Sequence, residues 1–276
     1  MGAQTGISWT EATWNPFYGC SKVSEGCKNC YMYRDQIRYG NNPAIVQKSK
    51  TNFDKPLKWK EGKLIFTCSW SDFFIEEGDQ YRDELWKIIK ATPQHTYQIL
   101  TKRPERIKQC LPADWGSGYE NVWLGISAEN QQRYDERLKQ FSHIEAKVKF
   151  LSLEPLLSDI WLFREYAEIY PFKELINWVI IGGESGNMQG KFVARECNLQ
   201  WIYSLVQQCM LVDVPVFVKQ FGTILAYDLR YNDKAGANMA EWPEPLRIQQ
   251  YPEVYYKNKI ADAVVKNFNA VQDSYL

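Results

Sequence analysis

The sequence predicts an α/β protein: a partial or nearly closed (β/α) barrel of about six to seven units with a C-terminal extension. Short apolar runs recur along the chain, and their first residues lie roughly 25 to 37 residues apart, the length of one strand and one helix. Most runs are almost continuously apolar, as is typical of parallel strands buried on both faces. Acids, bases and hydroxyls follow the runs directly, at the edge where parallel α/β folds bind ligands.

Six apolar runs are predicted as strands, and a further strand is predicted near residues 14–18. The six runs cover residues 64–68, 96–100, 121–126, 147–151, 177–181 and 214–218. The intervening segments with helical character are residues 79–91, 105–111, 130–141 and 197–211. Pro104 precedes the second of these helices, a position that suits a residue without an N–H. Alternating strands and helices imply parallel pairing with right-handed crossovers.

The C-terminal part of the chain departs from this alternation of strands and helices. From about residue 223 the periodicity weakens, and two X-Pro steps, Trp242-Pro243 and Tyr251-Pro252, interrupt it. The sequence therefore predicts a barrel over residues 1–222 with an N-terminal cysteine-containing loop, and an extension over residues 223–276 that packs on the barrel.

The charge balance and the lengths of the apolar runs exclude some classes of protein. Lys plus Arg and Asp plus Glu number 33 each, so the overall charge gives no reason to expect a polyanionic partner. No apolar run reaches the roughly 18 residues that a membrane helix needs, and no signal peptide pattern opens the sequence. We therefore expect a cytoplasmic protein that does not bind a membrane. The 11 tryptophans favour a large aromatic core over exposed rings that stack on bases.

Three of the seven cysteines, Cys20, Cys27 and Cys30, lie within eleven residues. Seven cysteines in a cytosolic chain indicate metal or redox chemistry rather than disulfides. Thiolates are soft ligands that suit iron–sulfur clusters or zinc. A structural zinc ion normally takes four protein ligands, and no fourth Cys or His is near in the sequence. A cluster with one open iron is the favoured interpretation, and zinc-bound or simply buried cysteines are the alternative.

Polar and ionisable side chains stand at the end of each predicted strand. The strand-end residues are Ser69, Ser71 and Asp72; Lys102 and Arg103; Ser127 and Glu129; Glu154; Glu184; and Lys219. A single such residue more often caps a helix or faces solvent. As a set they are expected to surround one mouth, because the carboxyl ends of parallel strands meet at one edge.

The cysteine motif and the strand ends together resemble the phage-associated, three-cysteine-motif family of predicted radical S-adenosylmethionine (SAM) proteins. The similar stretches are residues 9–31, 69–74, 100–106, 121–130, 150–157, 178–186 and 214–222. The resemblance implies an α/β barrel, a [4Fe–4S] cluster on Cys20, Cys27 and Cys30, and bound SAM. Two features depart from the wider superfamily: the spacing between the first two cysteines is longer, and the Gly-Gly-Glu sequence at residues 182–184 lies on a later strand.

The resemblance also implies roles for the strand-end residues. Those assigned to the cofactor are Ser69, Ser71 and Asp72 for the amino group, Lys102 or Arg103 for the carboxylate, Ser127 and Glu129 for the ribose, and Lys219. Glu154 and Glu184 are the candidate catalytic residues, expected to contact the substrate or the cofactor deep in the mouth.

The implied reaction is reductive cleavage of SAM with an external electron donor, followed by hydrogen abstraction from a substrate. Analogy with the phage association favours a nucleic-acid base or nucleotide as that substrate. Residues 34–63 hold eight Lys or Arg against three acids, with Phe53 and Trp59 interleaved, which suits stacked bases on a phosphate backbone. An ordinary solvated basic face is the alternative. Two other classes stay open: a zinc-bound nucleic-acid-binding module without catalysis, and a barrel hydrolase that uses paired glutamates.

Overall fold

Seven parallel strands form the centre of the molecule, which is described by a computed structural model over residues 5–163 and 172–259. The chain forms β1 Ala12–Trp14, β2 Phe17–Tyr18, β3 Gln47–Lys48, β4 Leu64–Thr67, β5 Thr96–Thr101, β6 Val122–Ser127, β7 Val148–Leu153, β8 Trp178–Gly182 and β9 Val216–Gln220. The sheet has the order β1-β4-β5-β6-β7-β8-β9 and curls into a half-barrel. The predicted partial α/β barrel is confirmed.

Helices flank the half-barrel. They are α1 Tyr31–Arg38, α2 Asp79–Ala91, α3 Pro104–Cys110, α4 Gln131–Phe141, α5 Phe172–Leu175, α6 Leu199–Leu211 and α7 Thr223–Asp228. Asparagine side chains cap α4 and α6: Asn130 accepts from the Arg133 N–H at 2.9 Å, and Asn198 from the Gln200 N–H at 2.8 Å. Over the described ranges, no helix has the length and apolar character that crossing a membrane requires.

The two faces of the sheet bury different side chains. Successive residues of a strand point to opposite faces. Trp123 and Leu124 of β6 therefore lie on opposite faces of the sheet, as do Phe150 and Leu151 of β7. The leucines join the core beneath the helices, whereas the aromatic residues join a second cluster on the concave face. This cluster, here called the aromatic layer, contains Trp9, Phe66, Trp123, Phe150, Trp178 and Phe217. Much of the aromatic composition is therefore core packing.

The single strand predicted near residues 14–18 is two strands. β1 pairs with β4 in the main sheet, whereas β2 pairs antiparallel with β3 in a separate ribbon. Pro16 lies between them, and a proline has no N–H to continue a ladder. The chain consequently leaves the sheet at this point and leads into the segment that carries the three cysteines.

The C-terminal extension packs along the β9 edge of the half-barrel. The Val218 N–H donates to the Ile248 carbonyl at 2.9 Å, which pairs the extension with the edge strand. Trp242 is 1% exposed and stacks on Phe221 with ring centroids 5.0 Å apart. The last part of the predicted extension, residues 260–276, lies outside the described residues.

Candidate functional site

A cavity of about 420 Å³ lies at the carboxyl ends of the strands, beside residues 20–30, here called the cysteine loop. The volume is in the range of small-molecule sites. The predicted residues that line it are Cys20, Cys27, Cys30, Ser69, Ser71, Asp72, Lys102, Arg103, Ser127, Glu154, Glu184 and Lys219. The strand ends thus meet around one mouth, as predicted, and only Glu129 among the predicted residues lies outside the cavity lining.

A larger cavity, of about 760 Å³, lies at the amino ends of β7, β8 and β9, where Val148, Asn177 and Pro215 contribute to its lining. None of the predicted site residues faces it. Ligands of parallel α/β folds bind at the carboxyl ends of the strands. The smaller cavity is therefore the candidate site.

All three cysteines reach the cavity from the cysteine loop, and Cys30, its last residue, directly precedes α1. The Cys20 N–H donates to the Pro43 carbonyl at 2.9 Å, and the Tyr33 hydroxyl donates to the Cys20 carbonyl. As the side chains stand in the described ranges, no three His, Cys, Asp or Glu residues form a group that could hold a metal ion.

Burial raises the pKa of the Cys20 thiol to about 12 and also raises the pKa of Cys30. Both thiols are therefore protonated at neutral pH in the metal-free protein. Because a metal binds the thiolate, loading of the site must release these protons.

Asp72 and Arg103 form the first of three ion pairs that hold the cysteine loop. The Asp72 carboxylate accepts from the Thr101 hydroxyl at 2.7 Å and lies 3.1 Å from a guanidinium nitrogen of Arg103. Arg103 also donates to the Ser21 carbonyl at 2.8 Å and to Cys20 Sγ, with an N–S distance of 3.7 Å. Both charged side chains are 7% exposed, so the pair is almost completely desolvated.

Glu129 and Arg137 form the second pair, with an N–O distance of 2.8 Å. The Gly26 N–H of the cysteine loop donates to Glu129 at 3.2 Å, and a Cβ at Gly26 would lie 2.8 Å from the carboxylate carbon. Arg137 reaches inward from α4 and also donates to the Ser127 carbonyl at 2.8 Å. Burial would raise the pKa of Glu129, but the charges of Lys102 and Arg137 hold that pKa below its ordinary value.

Glu184 and Arg195 form the third pair. Arg195 donates to both carboxylate oxygens, at 2.9 and 2.6 Å. The same guanidinium donates to the Glu25 carbonyl at 2.8 Å, and the Asn29 amide donates to Glu184 at 3.1 Å. Burial would raise the pKa of Glu184, but these hydrogen bonds hold that pKa below its usual range. The third strand end thus holds the far side of the cysteine loop.

Ser69 and Ser71 hold neighbouring backbone as well. The Ser71 hydroxyl donates to the Gly19 carbonyl at 2.6 Å, and the Asn15 amide donates to the Ser69 hydroxyl at 2.9 Å. The Tyr31 hydroxyl donates to the Ser69 carbonyl at 2.6 Å, which ties α1 to the end of β4. Both serines therefore line the cavity with hydroxyls that already have partners in the segment before the cysteine loop.

The contacts correct several expected roles. Glu129 cannot contact a ribose in the cavity, because it is fully buried behind the loop. Arg103 has its donors directed to Asp72 and the loop, so it does not offer them to a ligand carboxylate. The residues that sequence reasoning missed are Arg137 and Arg195. Neither stands at a strand end. For an arginine on a helix or in a connecting segment, the sequence does not indicate which carboxylate it pairs with.

Glu154 and Lys219 face the cavity as an ion pair with an N–O distance of 2.9 Å, 14% and 24% exposed. The Ser152 hydroxyl donates to Glu154 at 3.2 Å. A Cβ at Gly182 would lie 2.3 Å from the Glu154 carboxylate, so β8 must have glycine there. Unlike the three pairs above, this pair makes no hydrogen bond to the cysteine loop within the described residues.

Lys102 brings a further positive charge to the lining. Its N–H donates to Asp72 at 3.1 Å, whereas its ammonium makes no ion pair or hydrogen bond to any residue that the structure describes. The charge helps to lower the pKa of Glu129, and it partly offsets the rise that burial causes in the pKa of Cys30. Lys102 is thus the lining cation best placed to bind an anionic group.

The basic segment of residues 34–63 is partly neutralised. Lys48 pairs with Glu84 at 3.3 Å, and Lys58 pairs with Asp54 at 3.0 Å. Trp59 is half-buried and packs edge-on against the His95 ring, with centroids 5.8 Å apart. The expected free stacking surface at Trp59 is therefore a core contact.

These features define a half-barrel α/β protein whose candidate site joins a cysteine loop to the carboxyl ends of its strands. The chain belongs to the family described as "Protein of unknown function (DUF5131)", whose profile matches residues 4–242. Comparison with curated proteins and with solved structures finds no match. The resemblance to radical SAM proteins therefore stays a prediction.

Proposed function

We propose that the protein is a radical SAM enzyme whose [4Fe–4S] cluster is held by Cys20, Cys27 and Cys30. The observation that carries the proposal is that all three cysteines line the same cavity as the polar strand ends. Three thiolates leave one iron of such a cluster open for a chelating cofactor. The donor set is soft and half-buried, and one of its sulfurs accepts a hydrogen bond from Arg103, which fits an iron–sulfur group.

A [4Fe–4S] cluster held by these cysteines would supply the electron, received from an external donor, for reductive cleavage of SAM and hydrogen abstraction from a substrate. The residues of this chain would bind and orient SAM and the substrate, and would shield them from water. Lys102 offers its ammonium to the SAM carboxylate. Ser127, buried at the end of β6, offers a hydroxyl to the ribose. The aromatic layer excludes water from below.

Glu154 and Lys219 are the proposed substrate-contacting residues. The pair presents an acceptor and a donor side by side to the cavity. A barrel hydrolase with paired glutamates fits less well, because Glu129 and Glu184 are each bound by an arginine and by the cysteine loop. The proposed substrate is a nucleic-acid base or nucleotide, which the excess of cations in residues 34–63 supports.

Anaerobic reconstitution with iron and sulfide tests the cluster. The expected result is a brown protein with about four iron and four sulfide per chain. Cys27→Ala should lose the iron and the colour, because one of only three thiolates is removed. After addition of dithionite and SAM, chromatography should detect 5′-deoxyadenosine from the wild-type protein only.

Cys110→Ala is the matched control. Cys110 is a buried cysteine on α3 that does not line the cavity, so its removal should leave the iron content unchanged. A colourless wild-type protein that retains one zinc ion per chain under the same anaerobic conditions would contradict the proposal. That result would favour the zinc-bound, non-catalytic nucleic-acid-binding module.

A further inference from the structure

Among the described residues, Arg103 is the one charged side chain that donates a hydrogen bond to a sulfur of Cys20, Cys27 or Cys30. Its guanidinium lies 3.7 Å from Cys20 Sγ. The opposite edge of the guanidinium donates to the carbonyl and to the hydroxyl of Ser21, each at 2.8 Å. Three bonds to two consecutive residues fix where the Cys20 side chain enters the cavity.

The position of Arg103 is itself fixed by Thr101 and Asp72. Its backbone N–H donates to the Thr101 hydroxyl at 2.9 Å, and its guanidinium is 3.1 Å from Asp72. Asp72 accepts four further hydrogen-bond contacts, from the N–H groups of Phe74 and Lys102 and twice from the Thr101 hydroxyl. A guanidinium that is 7% exposed and held at both ends cannot swing away to bind a free ligand.

We infer that Arg103 is a positioning residue that orients the sulfur of Cys20 and sets the reduction potential of the cluster bound there. The inference rests on the proposed function, since it needs a cluster on Cys20. The hydrogen bond withdraws electron density from the sulfur, so it stabilises the reduced cluster relative to the oxidised one. Asp72 balances the charge of Arg103, which leaves the directed N–H···S contact as the main effect.

Arg195 provides a matched comparison. It is also paired with a buried carboxylate, Glu184, and also donates to a carbonyl of the cysteine loop. It makes no hydrogen bond to a cysteine sulfur within the described part of the chain. Loss of Arg195 should therefore loosen the loop without changing the electronic environment of the cluster.

The test is an anaerobic redox titration of the reconstituted, SAM-free protein, followed by electron paramagnetic resonance. Arg103→Gln should lower the ratio of reduced to oxidised cluster at a fixed potential at least tenfold, a shift of about 59 mV for a one-electron couple. Arg195→Gln should change the ratio less than threefold. The double variant Asp72→Asn, Arg103→Gln removes both charges together, and should still shift the potential in the negative direction.

The double variant also guards against misfolding, because it leaves no unpaired buried charge at Asp72. An unchanged potential in both Arg103 variants, or an equal shift in Arg195→Gln, would overturn the inference while the cluster itself persists. A wild-type protein that takes up no cluster would overturn the proposed function instead. The two failures are therefore distinguishable.

Discussion

At the scale of single residues, Lys102 differs from its neighbour Arg103 in what surrounds its charge. The guanidinium of Arg103 is enclosed by Asp72 and the cysteine loop, whereas the ammonium of Lys102 faces the cavity without a described partner. A ligand carboxylate in the cavity would therefore bind Lys102 with a charge-assisted hydrogen bond.

Lys102→Met should weaken the binding of SAM to the reconstituted protein at least tenfold. Hydrogen bonds to charged groups contribute about 1.5–3 kcal/mol, and tenfold corresponds to about 1.4 kcal/mol. Anaerobic titration calorimetry measures the affinity. Lys108→Met, which removes an exposed lysine on α3, should leave the affinity unchanged. Equal affinities of the Lys102 variant and the wild type would exclude the proposed role.

The sequence was sufficient to predict which residues surround the mouth, because strand ends follow directly from apolar runs. It was not sufficient to predict what each residue binds. Asp72, Glu129 and Glu184 looked alike as carboxylates after strands. Their arginine partners come from the end of β5, from α4 and from a long connecting segment. Only the folded arrangement shows that all three carboxylates hold one loop.

At the scale of elements, the cysteine loop is fastened to three separate strand ends. Its middle is held through Gly26, which contacts the buried carboxylate of Glu129. Glu129 in turn is paired with Arg137 of α4, so the loop and the helix share one ion pair. Removing one partner of a buried pair leaves an uncompensated charge and costs about 3–5 kcal/mol.

Glu129→Gln should lower the free energy of unfolding at pH 7 by about 3–5 kcal/mol and reduce its pH dependence in acid. The folded pKa of Glu129 lies below the unfolded value of about 4.3, so the wild-type carboxylate stabilises the fold above that pH. This contribution is lost as the pH falls through and below the unfolded value, and the glutamine variant has none to lose. Urea unfolding of the metal-free protein, followed by tryptophan fluorescence from pH 7 to pH 3, measures both effects.

Glu136→Gln is the control for Glu129→Gln. Glu136 pairs with Arg133 on the exposed side of α4 and is 45% exposed. Surface pairs of this kind contribute about 0–1 kcal/mol. A Glu129 variant as mild as the Glu136 variant would show that the buried pair does not hold the loop in solution.

The strands and long helices were predictable, whereas the path of the cysteine loop was not. Residues 130–141 and 197–211 were predicted as helical, and α4 and α6 lie there, each capped by an asparagine that was not predicted as a cap. The split of the first predicted strand at Pro16 was missed, although a proline within a short run is a reason to expect a break. Apolar periodicity carries no information on a polar loop whose geometry depends on distant arginines.

At the scale of the whole molecule, the extension contributes to the barrel rather than standing apart. Trp242 stacks on Phe221, which follows β9, and donates through its indole N–H to the Gly236 carbonyl at 3.0 Å. The adjoining backbone of Gly222 lies close to Gly183 and Glu184 at the mouth. The extension therefore supports the end of the sheet that carries the third ion pair.

Trp242→Ala should lower the free energy of unfolding by about 3–5 kcal/mol, because a fully buried aromatic side chain is deleted. Thermal or urea unfolding of the metal-free protein measures the loss. Trp161→Ala removes a tryptophan that is 50% exposed and should cost less than about 1 kcal/mol. Comparable losses in the two variants would show that the extension does not stabilise the barrel.

The aromatic layer determines the chemical character of the cavity floor. Trp9 and Phe66 belong both to this layer and to the cavity lining, so large rings form the floor on which any bound molecule rests. The floor of the cavity is therefore apolar, whereas its rim carries the charged strand ends. Under the proposed chemistry, SAM and the substrate would place their apolar parts against this floor and their charged groups toward the rim, beside the cysteine loop.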